Sequence, residues 1–168
     1  MKKAGTSFNW PALLRWSIIS WIVVILDQVT KNWFQTTMYV GQVEKVTDFF
    51  NLVMTYNTGA AFSFLADAGG WQRPLFATLS CLAILGISWI IGKQFRRKWL
   101  CFGLALVLGG AIGNAYDRIF LGYVVDFLDF HLMGYHWPAF NVADTAICVG
   151  AAIVVLAEFF NNPKKATR

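Results

Sequence analysis

The chain has 168 residues, of which 57% are hydrophobic and 14% are charged, and its mean hydropathy is +0.52. Soluble domains have about a quarter of their residues charged, so this composition excludes an ordinary soluble domain and indicates an integral membrane protein. A net charge of +5 would by itself fit a nucleic-acid partner. The basic residues flank apolar runs instead, so no nucleic acid is expected.

Four apolar runs are each long enough to cross a bilayer as a helix, which takes about 20 residues. They cover residues of about 13–34, 74–92, 99–117 and 142–160, and they leave two longer loops, 35–73 and 118–141. The first run leads into Asp27 and Lys31 with no small-residue cleavage site before them, so we interpret it as a retained helix rather than a signal peptide. The prediction is a mainly α fold, a four-helix transmembrane bundle in a single domain, residues 1–168.

The lysine and arginine residues predict the topology of this bundle. Ten of the fourteen fall on one side of a four-span arrangement: Lys2, Lys3, Arg15, Lys93, Arg96, Arg97, Lys98, Lys164, Lys165 and Arg168. Because positively charged segments stay inside, both termini are expected in the cytoplasm and both longer loops outside. The basic ends would then meet anionic membrane lipid.

The first longer loop has β character. Residues 38–46 and 50–55 are β-rich with partial alternation, which favours a small antiparallel platform on the membrane surface. Asn57-Thr58-Gly59 is typical of a turn. The stretch 67–70, Asp-Ala-Gly-Gly, is expected to end the loop before the second span.

Polar residues inside the spans are candidates for function, because an ionisable group at membrane depth is costly. Asp27 and Lys31 are four residues apart and fit an ion pair at the outer end of the first span. Alternatively, Asp27 lines a substrate groove.

The third span ends in a run of glycine and polar residues. Gly109 and Gly113 form a small-x-x-x-small pair that permits close helix contact. Gly110, Asn114 and Asp117 share one helix face. Asp117 and the following Arg118 are expected to close the helix end and to brace a nearby site.

Asp126 and Asp144 each stand in a strongly apolar stretch on the predicted outer side. One interpretation is structural: Asp144 is a first-turn acid of the fourth span with Asn141 as its N-cap, and Asp126 is a loop acid. The other is a catalytic pair. Two neighbouring carboxyl groups cannot both ionise cheaply, so one keeps a proton and the other can activate a water for peptide hydrolysis. Because the helix dipole favours ionised Asp144, the proton is assigned to Asp126.

Other catalytic and metal motifs have little support. The sequence has no G-x-S-x-G, H-E-x-x-H, P-loop or G-x-G-x-x-G motif. His131 and His136, with Asp126 and Asp129, match no common metal-site spacing, so neither a metal nor a cofactor is expected. The cysteines lie in apolar runs without a C-x-x-C motif and are interpreted as small core residues: Cys81, Cys101 and Cys148.

Five motifs in order resemble the bacterial lipoprotein signal peptidase family, also called signal peptidase II. They are Asp27-x-x-x-Lys31, Asn57-Thr58-Gly59-Ala60-Ala61-Phe62, Gly109-Gly110-Ala111-Ile112-Gly113-Asn114-x-x-Asp117-Arg118, Val124-Val125-Asp126-Phe127 and Trp137-Pro138-Ala139-Phe140-Asn141-Val142-Ala143-Asp144. The resemblance extends from Asp27 to Asp144, and the length and the four spans agree with it.

The resemblance implies an aspartic endopeptidase of the bacterial cytoplasmic (inner) membrane with its active site at the outer leaflet. It implies prolipoprotein substrates that carry a diacylglyceryl group on a cysteine, cut just before that cysteine, and inhibition by globomycin-type cyclic peptides. The implied catalytic residues are Asp126 and Asp144. The implied substrate-binding or supporting residues are Asp27, Asn57, Gly59, Asn114, Arg118 and Asn141. Nothing in the sequence requires more than a monomer.

The residues alone leave two other classes of protein open. One is a small ion-coupled transporter in which Asp27, Asp117 and Asp144 relay protons or bind cations. The other is a non-enzymatic membrane scaffold that assembles through its glycine-rich third span.

Overall fold

A computed structural model of the protein describes residues 7–59 and 71–161. These residues contain four helices that are long and apolar enough to cross a membrane, which confirms the predicted spans. Helix α1 covers Trp10–Thr37, α2 covers Gln72–Gln94, α3 covers Lys98–Phe120 and α4 covers Val142–Phe160. The first three helices are longer than the apolar runs that predicted them, because polar and aromatic residues continue each helix past its apolar stretch.

Helix α3 is the centre of the bundle. In its most apolar stretch 61% of the residues are buried, compared with 11–22% in the other three helices. Glycines allow the close approach: a Cβ on Gly109 would lie 2.7 Å from the carbonyl oxygen of Ser20 in α1, and one on Gly103 would lie 2.7 Å from that of Gly150 in α4. Gly113 packs against the Asp27 carboxyl group in the same way. The predicted contact through Gly109 and Gly113 is therefore confirmed.

A four-stranded antiparallel sheet lies at the end of the bundle where α1 and α3 finish and α4 begins. Its strands β1 (Val43–Lys45), β2 (Phe50–Asn57), β3 (Val124–Leu132) and β4 (Tyr135–His136) are ordered β1-β2-β3-β4. The predicted platform is confirmed, but half of its strands come from the second longer loop, which the sequence analysis left without strands. The predicted end of the first loop, 67–70, lies outside the described residues.

A hydrophobic cluster holds the sheet on the bundle. It joins Phe34 and Met38 of α1 to Met54 of β2 and to Val125 and Phe127 of β3. The rings of Phe34 and Phe127 stack with their centroids 4.2 Å apart. Successive side chains of a strand point to opposite faces, so burying Val125 and Phe127 in this cluster directs the residue between them to the other face of the sheet. That residue is Asp126.

Candidate active site

Asp126 is a strand residue, and the interpretation of it as a loop acid is wrong. It is the third residue of β3 and is 2% exposed. Its two carboxyl oxygens accept hydrogen bonds from two asparagines: Asn57 donates to Oδ2 over 3.1 Å, and Asn141 donates to Oδ1 over 2.7 Å. Asn57 comes from β2, which pairs with β3, so the register of Asn57 with Val124 places the two side chains together.

Asp144 combines a position in the first turn of a helix with a position in the site. Asn141 is the N-cap of α4, and its Oδ1 accepts from the backbone N–H of Asp144 over 2.9 Å. This confirms the predicted cap. The Asp144 carboxyl group itself accepts a hydrogen bond, in which Asn114 of α3 donates from Nδ2 to Oδ1 over 2.7 Å. Asp144 can therefore be a first-turn residue of a capped helix and a member of the site at the same time.

Asn141 connects the two aspartates. Its side chain is 0% exposed. The amide oxygen faces the Asp144 backbone, while the amide nitrogen donates to Asp126. One fully buried amide therefore sets the start of α4 and the position of the Asp126 carboxyl group together.

The environment of Asp126 favours its protonated form. Burial, and then the charge of nearby Asp144, raise the pKa of Asp126 to about 7, although hydrogen bonds from Asn57 and Asn141 act in the opposite direction. Burial penalises a carboxylate because it removes water, and a second negative charge adds to that penalty. Asp126 therefore keeps its proton to a higher pH than an ordinary carboxyl group, while the dipole and the first-turn N–H groups of α4 favour the ionised form of Asp144.

Arg118 and Gly59 lie beside the pair. Arg118 donates from Nη2 to the carbonyl oxygen of Gly59 over 3.1 Å and from Nη1 to that of Asn114 over 3.3 Å. The backbone N–H of Gly59 donates to Asn57 Oδ1 over 2.9 Å, in keeping with the turn predicted there. The same guanidinium keeps one buried N–H, at Nε, that has no hydrogen-bond partner in the described parts of the chain.

Asp27 lies beneath the pair in a buried ionic cluster. Its side chain is 0% exposed, and its carboxyl group contacts Lys31 Nζ over 2.7 Å, which confirms the predicted i,i+4 ion pair. It also accepts from the backbone N–H of Ala143 in α4 over 2.9 Å. Asp27 therefore supports the first turn of α4. That it lines a substrate groove stays a prediction.

A cavity of about 340 Å³ opens beside Asp144. Asn57, Arg118 and Asp144 form its polar end, and the remaining wall is mostly apolar: Val124, Trp137, Ala139, Phe140, Thr145, Ile147, Cys148 and Val149. This wall is not among the features predicted from the sequence, although Ile147 and Cys148 follow Asp144 at helical spacing and so share its face. A larger cavity of about 560 Å³ lies at the opposite end of α3 and α4, far from the paired carboxyl groups, and is not the candidate site.

The described residues, 7–59 and 71–161, contain no group of three or more His, Cys, Asp or Glu side chains arranged to hold a metal ion. His131 of β3 and His136 of β4 stack on each other in the sheet, with ring centroids 4.8 Å apart, and His136 contacts Asp129 over 2.9 Å. Neither histidine contacts Asp126.

The fold and the site together define a small integral membrane protein whose buried charged residues lie at one end of its helix bundle. A family model described as "Signal peptidase (SPase) II" matches residues 19–160. The chain belongs to the signal peptidase II family and is therefore a protease, which counts against the transporter and scaffold alternatives.

Known relatives agree with this assignment. The chain is 54% identical over 143 residues to a lipoprotein signal peptidase of Ralstonia nicotianae, an alignment that covers 85% of this chain and 83% of the relative. It is 51% identical over 147 residues to one of Paraburkholderia phytofirmans, covering 88% and 86%. A solved structure described as a bacterial membrane enzyme, determined by the in meso method at 2.3 Å resolution, superposes with a TM-score of 0.81 and 28% identity over 97% of each chain.

Proposed function

We propose that the protein is an aspartic endopeptidase that removes the signal peptide from diacylglyceryl-modified prolipoproteins, cutting just before the lipid-modified cysteine. The observation that carries the proposal is the pair Asp126 and Asp144, joined by Asn141 at the polar end of an apolar cavity. The relatives named lipoprotein signal peptidases supply the substrate class.

In the proposed reaction the pair enters with one proton, on Asp126. Ionised Asp144 removes a proton from a water molecule as the water oxygen attacks the scissile carbonyl carbon, and Asp126 gives its proton to the carbonyl oxygen. When the neutral tetrahedral intermediate collapses, the C–N bond breaks. The leaving amine then takes the proton from Asp144, and a hydroxyl proton returns to Asp126.

The surrounding polar residues position these groups. Asn57 and Asn141 each hold one oxygen of Asp126, and Asn114 holds Asp144. Arg118 lines the cavity, and its Nε–H has no partner among the described residues, so a substrate backbone carbonyl can accept this hydrogen bond. Preorganised donors of this kind stabilise developing charge without reorganising during the reaction.

The cavity fits a substrate that remains in the membrane. Its apolar wall follows α4 away from Asp144 past Ile147, Cys148 and Val149. Such a wall can accept the acyl chains of a diacylglyceryl group, because burying each CH₂ group contributes about 0.8 kcal/mol. We place the site at the outer face of the bacterial inner membrane, with both termini in the cytoplasm, on the distribution of lysine and arginine.

Cleavage of matched substrates by the purified protein tests this function. A prolipoprotein with the diacylglyceryl group on its cysteine should be cut, and mass spectrometry should find the lipid-modified cysteine at the new N-terminus. The same prolipoprotein without the lipid, and a version with that cysteine replaced by serine, are the controls. Equal cleavage of the unmodified protein, or a cut at another bond, would refute the substrate assignment.

The pKa of Asp126 predicts the pH dependence of cleavage. The active pair holds one proton, and Asp126 loses it as the pH rises through its pKa of about 7. We therefore expect kcat/KM, which reports groups of the free enzyme, to fall above about pH 7 while circular dichroism remains constant. A profile that stays flat to pH 9 would contradict the assignment of the proton to Asp126.

A further inference from the structure

Lys31 carries a buried ammonium group that the proposed reaction steps do not use. Its side chain is 2% exposed. Nζ lies 2.7 Å from Asp27 Oδ2, 2.7 Å from Asp117 Oδ2 and 3.0 Å from Asn114 Oδ1. An ammonium group has three N–H donors and no acceptor. Each donor therefore has an acceptor within hydrogen-bonding distance, and two of the acceptors are carboxylates that offset the cost of burying the charge.

The ammonium group is the nearer of two donors that set which way the Asn114 amide points: Lys31 Nζ lies 3.0 Å from Asn114 Oδ1, and Asn141 Nδ2 donates to the same oxygen over 3.5 Å. An asparagine side chain offers an oxygen that only accepts and an NH₂ group that only donates. Because Lys31 can only donate, the amide oxygen must face it, and the NH₂ group is then directed at Asp144, 2.7 Å away. The reversed amide would set NH₂ against the ammonium group and the amide oxygen against a carboxylate oxygen.

We propose that Lys31 is a positioning residue of the protease: it holds the amide oxygen of Asn114 and thereby directs the NH₂ group of Asn114 onto Asp144. A hydrogen bond donated to a carboxylate favours its ionised form, which is the form that activates water in the proposed reaction. The inference rests on the proposed function, because it gives Lys31 a role in keeping Asp144 ready as the base.

The other charged groups around Lys31 are consistent with this role. On its own helix it faces Asp27, which is also held by the backbone of α4. From α3 it faces Asp117, whose second oxygen accepts from Gln28 over 2.9 Å. Asp126, Asp144 and Arg118 lie beyond Asn114 on β3, α4 and α3. Asp27 and Asp117 therefore hold the ammonium group within reach of the Asn114 amide oxygen.

The test uses the double variant K31M/D117N, because Lys31→Met alone would leave two buried carboxylates without a cation. In the wild type, Asp27, Lys31 and Asp117 together carry one net negative charge. The double variant keeps that charge, because Asp27 is then the only charged member. We expect kcat on the diacylglyceryl-modified prolipoprotein to fall about 10- to 100-fold with KM nearly unchanged. The acidic limb of the pH profile should move to higher pH. The control is K45M/D48N, which removes an exposed ion pair of 2.6 Å between the end of β1 and the turn that follows it, and should leave kcat and the profile unchanged.

A mutant cycle with Asn114→Ala separates positioning from a general structural role. If Lys31 acts through Asn114, K31M/D117N should cause no further loss of kcat in the Asn114→Ala background. Additive losses, or a K31M/D117N variant with the wild-type rate and pH profile, would overturn the inference and leave the proposed function intact. Failure of the wild type to cleave would overturn both.

If K31M/D117N melts below the assay temperature, Lys31→Arg replaces it. This variant keeps a cation and its donors, so it should keep the wild-type acidic limb of the pH profile. A shifted acidic limb in the folded variant would refute the positioning role of Lys31.

Discussion

Asp126→Asn and Asp144→Asn should each slow cleavage of a diacylglyceryl-modified prolipoprotein by on the order of 10²- to 10⁴-fold, the range for loss of a general acid or base. An amide can neither accept the proton of the attacking water nor give one to the carbonyl oxygen at useful rates. Single-turnover cleavage measures the effect directly, and thermal melting in detergent checks the fold. We expect both variants to remain folded, because asparagine nearly keeps the shape of the side chain and adds no charge to the site.

Asp129→Asn is the matched control for Asp126→Asn. Asp129 is also a buried carboxylate of β3, 6% exposed, and accepts a hydrogen bond from Asn51 over 2.8 Å, but it contacts neither Asp126 nor Asp144. Its variant should cleave within a few-fold of the wild-type rate. If either pair variant keeps more than about a tenth of the wild-type rate, the catalytic assignment is wrong, since the loss then falls below the range for a general acid or base. An equal loss in Asp129→Asn would show that the sheet has simply been damaged.

The helices were predictable from sequence because the length and apolarity of a segment are enough to identify a membrane span. No hydrophobic periodicity is needed. Strand β3 was not predictable in the same way. Its residues Val124, Val125, Asp126 and Phe127 are all buried, so the period-2 alternation that identifies a half-exposed strand is absent there. The strand is recognised only through its partner, β2, which is about 70 residues earlier in the chain.

The site could be predicted residue by residue but not as an arrangement. The local relations were visible: Asn141 as a cap three residues before Asp144, and Lys31 one turn after Asp27. The relations that join different elements were not, since a sequence does not show that Asn57 donates to Asp126 or that Lys31 reaches Asp117. The prediction of a helix-end ion pair between Asp27 and Lys31 was correct. It did not include the third charged residue of the cluster, Asp117, which comes from α3.

Asn141→Ala should impair both catalysis and stability, because one amide serves both. Loss of the N-cap of α4 is expected to cost about 1 kcal/mol of stability. Loss of a hydrogen bond to a charged group costs about 1.5–3 kcal/mol, so kcat/KM should fall by about 10- to 150-fold. The hydrogen bond from Asn141 lowers the pKa of Asp126. Its removal should therefore shift the alkaline limb of the pH profile above about 7.

Asn9→Ala separates the two effects. Asn9 is the N-cap of α1 and accepts from the backbone N–H of Ala12 over 2.8 Å, at the end of the bundle away from the site. The Asn9→Ala variant should lower the melting temperature about as much as Asn141→Ala, while kcat/KM and its pH profile stay as in the wild type. Asn141→Ser complements it, because serine is a good N-cap without the amide NH₂ group that reaches Asp126. This variant should keep most of the melting temperature and lose activity. If the losses of activity follow the melting temperatures across the three variants, Asn141 acts only as a cap, and the connection that it makes between Asp126 and Asp144 has no part in catalysis.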